Sequence, residues 1–140
     1  MDLLHQTDRI FFEKTELDLG RTQKIVSDAL VAVDDGELFL EMRHSEMLMF
    51  DDGRLKTASY DQSSGFGLRA VASDAHGYAH AGELSESALK RAVDSVSAVT
   101  REYHGDAALA PNAGSNAPLY TDENPLNHTS FETKINLLKE

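Results

Sequence analysis

Apolar residues recur at helical spacing in two stretches of the chain. The first stretch follows Thr22, a candidate N-cap, and stops before Gly36; its apolar positions are Ile25, Val26, Ala29, Leu30 and Val33. The second follows Ser85, another candidate N-cap, and stops before Gly105; its apolar stripe comprises Leu89, Ala92, Val96, Val99 and Tyr103. The spacing predicts one helix in each stretch.

Between these helices the pattern changes to the period of two that is typical of strands. Alternation begins at Glu37, and Met47-Leu48-Met49-Phe50 is apolar on both faces, as in a strand covered on both sides. Asp52-Gly53 is a strong hairpin signal. Further strand-like segments run over 54–61, 66–72 and 78–81. The sequence therefore predicts an α+β fold in which an antiparallel meander of about four strands packs with two helices.

The composition changes again after the second helix. Residues 106–128 are rich in alanine, asparagine, glycine and proline, which is typical of a linker. Thr129 and Glu132 have the spacing of a capping box, and Phe131, Ile135 and Leu138 follow at helical spacing. We expect an α+β domain over 1–105, a linker over 106–128, and the truncated first helix of a next domain over 129–140.

Charge and cysteine content exclude several classes of function. The 140 residues include 13 basic and 24 acidic ones, a net charge of −11, which disfavours binding to nucleic acid or anionic membranes. The chain has no cysteine, and this excludes disulfides, thiol nucleophiles and cysteine-ligated metal sites. It begins without an export signal and contains no membrane-spanning apolar run, so we predict a cytoplasmic location.

Two motifs have the letters of known binding sites. His76 and His80 are four residues apart, but in a strand that separation spans about 13 Å, too far for both to bind one metal ion. Residues 65–70, Gly-Phe-Gly-Leu-Arg-Ala, match a dinucleotide-binding pattern, although their alternation favours a strand. We therefore expect surface histidines and a glycine-containing strand, and a nucleotide-binding module is the weaker alternative.

Arg69 is the most informative single residue, because a charge in the middle of an apolar strand needs a partner or a cleft. A bound peptide carboxylate or carbonyl is one possible partner. An intramolecular ion pair or simple exposure to solvent are the alternatives. The residues by themselves predict no catalytic constellation.

Eight short segments form an ordered series along the chain: Gly36–Glu41, His44–Glu46, Asp51–Arg54, Ala58–Asp61, Gly65–Val71, Gly77–Ala79, Pro118–Thr121 and Asn124–Leu126. This series resembles the N-terminal domain of the TldD/PmbA (modulator of DNA gyrase) family, and it is more similar to the TldD branch than to PmbA (TldE). The helix from Thr129 resembles the family's entry into its next domain.

The resemblance implies a zinc metallopeptidase that processes or degrades peptides as a dimer, with a TldE/PmbA-like subunit or with itself. The family's metal motif, His-Glu followed three residues later by His, lies in a later domain. No residue here matches a zinc ligand or the catalytic glutamate, so we expect no cofactor and no peptide cleavage from this chain alone. Within this domain, Gly65, Phe66, Gly67 and Arg69 are predicted to line the substrate chamber. The alternative is a stand-alone, non-catalytic domain that binds a TldE-like partner or a peptide.

Overall fold

A computed structural model of the chain describes residues 7–102 and 124–139. After a short π-helix, Arg9–Glu13, the elements are α1 (Leu19–Leu30), β1 (Asp35–Asp51), β2 (Arg54–Ala72), β3 (Ala75–Ala81), α2 (Glu86–Thr100), a 3₁₀ turn (Pro125–Asn127) and α3 (Phe131–Leu137). The predicted α+β class is confirmed. None of the helices in these two ranges is long and apolar enough to cross a membrane.

The sheet has three strands in the order β1-β2-β3, rather than about four. The polar residues between Asp61 and Phe66, where we expected one strand to end and another to begin, stay extended within β2. Polar side chains do not end a strand where the backbone continues to pair. The predicted Asp52-Gly53 turn is confirmed: both residues have positive φ, 49° and 69°, as a two-residue hairpin turn requires.

The helix caps are partly those predicted. Ser85 caps α2, and its hydroxyl accepts a hydrogen bond from the amide of Ala88 at 3.2 Å. The other two predicted caps are wrong. Asp18 caps α1 because its carboxylate accepts from the amide of Arg21, while Thr22 is buried inside the helix. Ser130, not Thr129, caps α3. Tyr103, Gly105 and most of the predicted linker lie outside the described residues.

The described residues form two compact units. The first unit comprises residues 7–41 and 64–102, and the second comprises 42–63 and 124–139. The buried hydrophobic residues of the two described ranges all belong to the first unit: Leu17, Val33, Phe66, Leu68, Ala70, Ala72, Leu84, Ala88, Leu89, Ala92 and Val96. Its core is therefore made by one face of β2 together with α2 and the segments around them. The predicted division of the chain at 105 and 129 stays a prediction.

In the first unit, α2 and β3 approach each other closely at Gly77. A Cβ atom placed on Gly77 would lie 3.0 Å from both Cγ1 and the carbonyl oxygen of Val96. Alanines on both sides of the interface, including Ala70 and Ala92, are buried as well. Small residues here allow the helix to lie directly against the backbone of the sheet.

Enlarging Gly77 should therefore destabilise the first unit. We expect Gly77→Ala to lower the free energy of unfolding by about 1–3 kcal/mol, because the added methyl group forces α2 away from the strand. Gly82→Ala is the matched control, since its new Cβ would be 3.7 Å from its nearest neighbour. Urea denaturation followed by circular dichroism measures both variants. Equal midpoints for the two would contradict the close packing.

The first turn of α2 contains Glu86, whose carboxylate forms ion pairs with two basic side chains. Glu86 accepts a hydrogen bond from Lys90 at 2.6 Å, and Arg21 lies 3.4 Å away. The Lys90 hydrogen bond is the main cause that lowers the pKa of Glu86. A lowered pKa means that this contribution to stability is present above the ordinary carboxyl pKa and is lost as the pH falls through the lowered value.

Removing the lysine should return Glu86 to ordinary behaviour. In Lys90→Met, we expect the Glu86 pKa to rise toward the usual carboxyl value, because its strongest partner is gone. A carbon-13 carboxyl titration by NMR measures this. Lys24→Met, which removes an exposed (i, i+4) lysine partner from α1, is the control and should leave Glu86 unchanged. A Glu86 titration that is identical in Lys90→Met and in the unsubstituted chain would show that the pair does not form.

Candidate functional site

One face of the sheet in the first unit is covered by α2, and its other face carries the polar residues of the predicted site. Successive strand residues point to opposite faces, so Arg69 lies on the face opposite Leu68 and Ala70, which are fully buried. Arg69 is paired across β2 and β3 with Tyr78, and Gly67 with His80. We call Asp35, Glu37, Gly67, Arg69, Tyr78 and His80 the open face.

Arg69 is held at the centre of the open face by two carboxylates from β1. Its Nε donates to Oε1 of Glu37 at 3.1 Å, and Nη2 donates to Oδ2 of Asp35 at 2.5 Å. Asp35 and then Glu37 raise the pKa of the guanidinium, which keeps it charged. Of the partners considered for Arg69, the structure shows the intramolecular ion pair. The Arg69 side chain is still 37% exposed, so it also faces solvent.

Aromatic rings cover the strand beside this ion pair. The Tyr78 ring lies over Gly67, since a Cβ on that glycine would be 2.9 Å from the tyrosine hydroxyl and 3.2 Å from Cε2. The His80 ring stacks against Tyr78 with centroids 5.8 Å apart and planes 30° apart. Tyr78 remains 66% exposed. Glycine at 67 thus provides the space in which the ring lies flat on the sheet.

The four residues predicted to line a chamber do not all share this face. Gly67 and Arg69 lie on the open face, whereas Phe66 is in the core and 4% exposed. Gly65 faces the backbone of β3, because a Cβ there would lie 2.7 Å from the carbonyl oxygen of Ala81. Their role as chamber lining stays a prediction.

The histidine pair lies in a strand, as the alternation indicated. His76 and His80 are both exposed residues of β3. Within 7–102 and 124–139, no group of three or more histidine and acidic side chains is arranged to hold a metal ion. The described residues therefore do not provide a ligand set for the zinc that the family resemblance implies. The Gly65–Ala70 segment lies inside strand β2. A dinucleotide-binding motif would instead stand at the start of a helix.

Together, the side chains of the open face are suited to molecular recognition. The carboxylates of Asp35 and Glu37 are 60% and 63% exposed and can accept further hydrogen bonds. Tyr78 offers a flat ring and a hydroxyl, and exposed tyrosine and arginine are the residue types that concentrate binding energy in protein interfaces. The open face can thus bind a polypeptide through both polar and aromatic contacts.

Sequence reasoning singled out Arg69 but missed its partners. A hairpin that turns at Asp52-Gly53 brings the beginning of β1 alongside the second half of β2. A plain count back from that turn places Gly36 opposite Arg69 and puts Asp35 and Glu37 on the other face, so the count alone does not identify the two carboxylates as its partners. Tyr78 was recognised only as the start of a closing strand, and its contact with Gly67 needs the register between β2 and β3.

Comparison with known proteins finds similarity to one family over part of this chain. Residues 36–100 match the family model described as PmbA/TldA metallopeptidase domain 1. The chain is 27% identical over 108 residues to the metalloprotease TldD homolog of Haemophilus influenzae, and 23% identical over 106 residues to that of Buchnera aphidicola. Each alignment covers 76% of this chain but only 22% of the relative. The chain thus spans about a fifth of the curated relatives that it matches.

Removing one of the two carboxylates that bind Arg69 should increase hydrogen exchange at its side chain. We expect Glu37→Ala to speed hydrogen exchange at the Arg69 Nε several-fold, because that hydrogen bond disappears. The melting temperature should hardly change, since exposed ion pairs contribute little to stability. Proton–nitrogen NMR of the arginine side chains measures the exchange rate, and Asp28→Ala in α1 is a control that leaves Arg69 untouched. Unchanged Arg69 exchange in Glu37→Ala would contradict the pairing.

Proposed function

Because residues 36–100 match the model for PmbA/TldA metallopeptidase domain 1 and the chain is similar to two TldD homologs, we propose that it serves as the N-terminal domain of a TldD-like peptidase. In that role it binds and positions polypeptide and does not cleave it. The match over residues 36–100, to a domain whose relatives are named metalloproteases, carries this proposal. The whole enzyme's zinc, its peptide cleavage and a cytoplasmic location are parts of the proposal that come from the family resemblance.

The open face is the surface that we assign to the peptide. An extended peptide can place a basic side chain near Asp35 and Glu37 and an apolar side chain against Tyr78. A binding contribution of this kind appears in KM and leaves the chemical step unchanged, because no atom of this face takes part in bond cleavage.

Pairing with a TldE/PmbA-like subunit, or with a second copy, completes the proposal. A dimer encloses a peptide between two subunits, so each N-terminal domain contributes one wall. A stand-alone interaction domain is the alternative, and it is supported by the same exposed Tyr78 and Arg69. The proposed function and this alternative differ in one respect: only the N-terminal domain of a peptidase supports cleavage when it is joined to the remaining domains of the enzyme.

A chimera separates these functions. In the Haemophilus influenzae relative, the 108 matched residues are replaced by those of this chain, and cleavage of an unstructured, internally quenched peptide is measured. We expect the chimera to cleave the peptide and the 140-residue chain alone not to do so. A folded chimera that binds zinc but has no activity would contradict the proposed function and favour the stand-alone domain. Light scattering of the chimera, alone and mixed with a TldE/PmbA-like protein, tests the dimer.

The open face is tested in the same chimera. We expect Arg69→Ala and Tyr78→Ala to raise KM several-fold with little change in kcat. Arg91→Ala is the matched control, because Arg91 is also an exposed, ion-paired arginine but lies on α2. Equal KM values for Arg69→Ala and Arg91→Ala would show that the peptide does not contact the open face.

A further inference from the structure

The second unit contains strands and a helix but has no buried residue among 42–63 and 124–139. Its most apolar segment is Met47-Leu48-Met49-Phe50, whose sequence indicates a strand covered on both sides. Leu48 and Phe50 are half-buried, whereas Met47 and Met49 are 52% and 50% exposed. One side of this strand is thus partly covered, and the other is open.

The covered side is held by a polar contact with the C-terminal segment. Glu46 shares a strand face with Leu48 and Phe50. Lys134 of α3 donates to the Glu46 carboxylate at 2.9 Å and to the carbonyl oxygen of Leu126 at 2.8 Å. The side chains of Lys134 and Glu46 are only 19% and 20% exposed. Residues 124–139 therefore contact the Glu46 side, and Met47 and Met49 point the opposite way; we call these two residues the methionine face.

Charge distribution favours this unit as a place where a protein docks. Within its described residues, five acidic and five basic residues cancel. The described residues of the first unit include fourteen acidic and eight basic ones, so the net negative charge is concentrated there. Interface centres are poor in net charge and rich in methionine and aromatic residues. Methionine also adapts its shape to an apolar partner surface.

We propose that the methionine face packs against the part of the polypeptide that follows domain 1 in a TldD-like metallopeptidase. This inference rests on the proposed function and names the surface through which the domain joins the rest of the enzyme. The matched region is 22% of the Haemophilus influenzae relative, so most of such a polypeptide is available as the occupant. Met47 and Met49 lie within the family match of 36–100, whereas α3 follows it. The partner surface required is apolar and carries no strong charge.

Binding in trans tests the proposal with the 140-residue chain. The probe is the Haemophilus influenzae relative lacking its 108 matched residues, titrated into the chain by calorimetry. Added peroxide followed by mass spectrometry then reports which methionines are protected from oxidation. We expect binding in the micromolar range and protection of Met47 and Met49. Absence of binding at 100 µM, or binding without protection of these two residues, would overturn the proposal.

Matched variants locate the surface. We expect Met47→Ser/Met49→Ser to weaken binding at least tenfold while the melting temperature stays near that of the unsubstituted chain, because both side chains are already half exposed. Val31→Ser/Val99→Ser is the control, since those valines are exposed apolar residues of the first unit, at 67% and 47%. Equal weakening by both double variants would overturn the assignment. Protection that grows with the concentration of the chain alone would assign the face to a second copy and overturn it too.

The outcomes separate this inference from the proposed function. An active chimera whose 140-residue counterpart shows no methionine protection overturns the docking surface alone. Binding with protection, together with an inactive chimera, supports the docking surface and contradicts the proposed role of the domain in positioning the peptide.

Discussion

The packing of α2 on the sheet through very small side chains is the constraint on which the first unit depends. Gly77 brings β3 to within van der Waals contact of the Val96 backbone, and Ala70 and Ala92 are buried in the same core. With the helix this close, Leu68 and Leu89 become the largest fully buried side chains. That interface uses one face of β2 and leaves the other available for Arg69. The open face exists because the opposite face alone provides the core.

The two units are stabilised in different ways. The first has an apolar core, and its ion pairs are exposed, such as Arg69 with Asp35 and Glu37. The second has no buried residue in its described part. Within it, the half-buried pair of Lys134 and Glu46 connects residues 124–139 to the hairpin. A polar contact of this kind fixes geometry but adds little net stability. In its described part, the second unit therefore depends less on apolar burial than the first unit does.

Local signals in the sequence predicted much of this fold. The Ser85 cap and the Asp52-Gly53 turn are confirmed, because each is decided by a few adjacent residues. Asp18 and Thr22 are both suitable caps, and tertiary packing decides between them by burying Thr22. The break that we expected between Asp61 and Phe66 is wrong for the same reason. Pairing with the neighbouring strands keeps β2 extended through these polar residues, and no local pattern reports that pairing.

The site was less predictable than the fold, since it depends on contacts between strands. Arg69 was identified as a charge needing a partner, yet Glu37 is 32 residues away along the chain. Alternation alone separates Phe66 from Arg69, because residues three apart in a strand face opposite sides. Tyr78 could not be assigned to Gly67 without the register of β3. Helix and turn signals are local, whereas a binding face is assembled from several segments.

The path of the chain through the two units has a consequence for evolution. The chain leaves the first unit after Glu41 and re-enters it at Ser64, so the hairpin between them is an insertion into an otherwise continuous core. The core around Leu68 and Leu89 lies wholly in the first unit, so substitutions at exposed positions of this hairpin leave the described core unchanged. Selection can in this way change the surface of the hairpin without changing how the first unit folds.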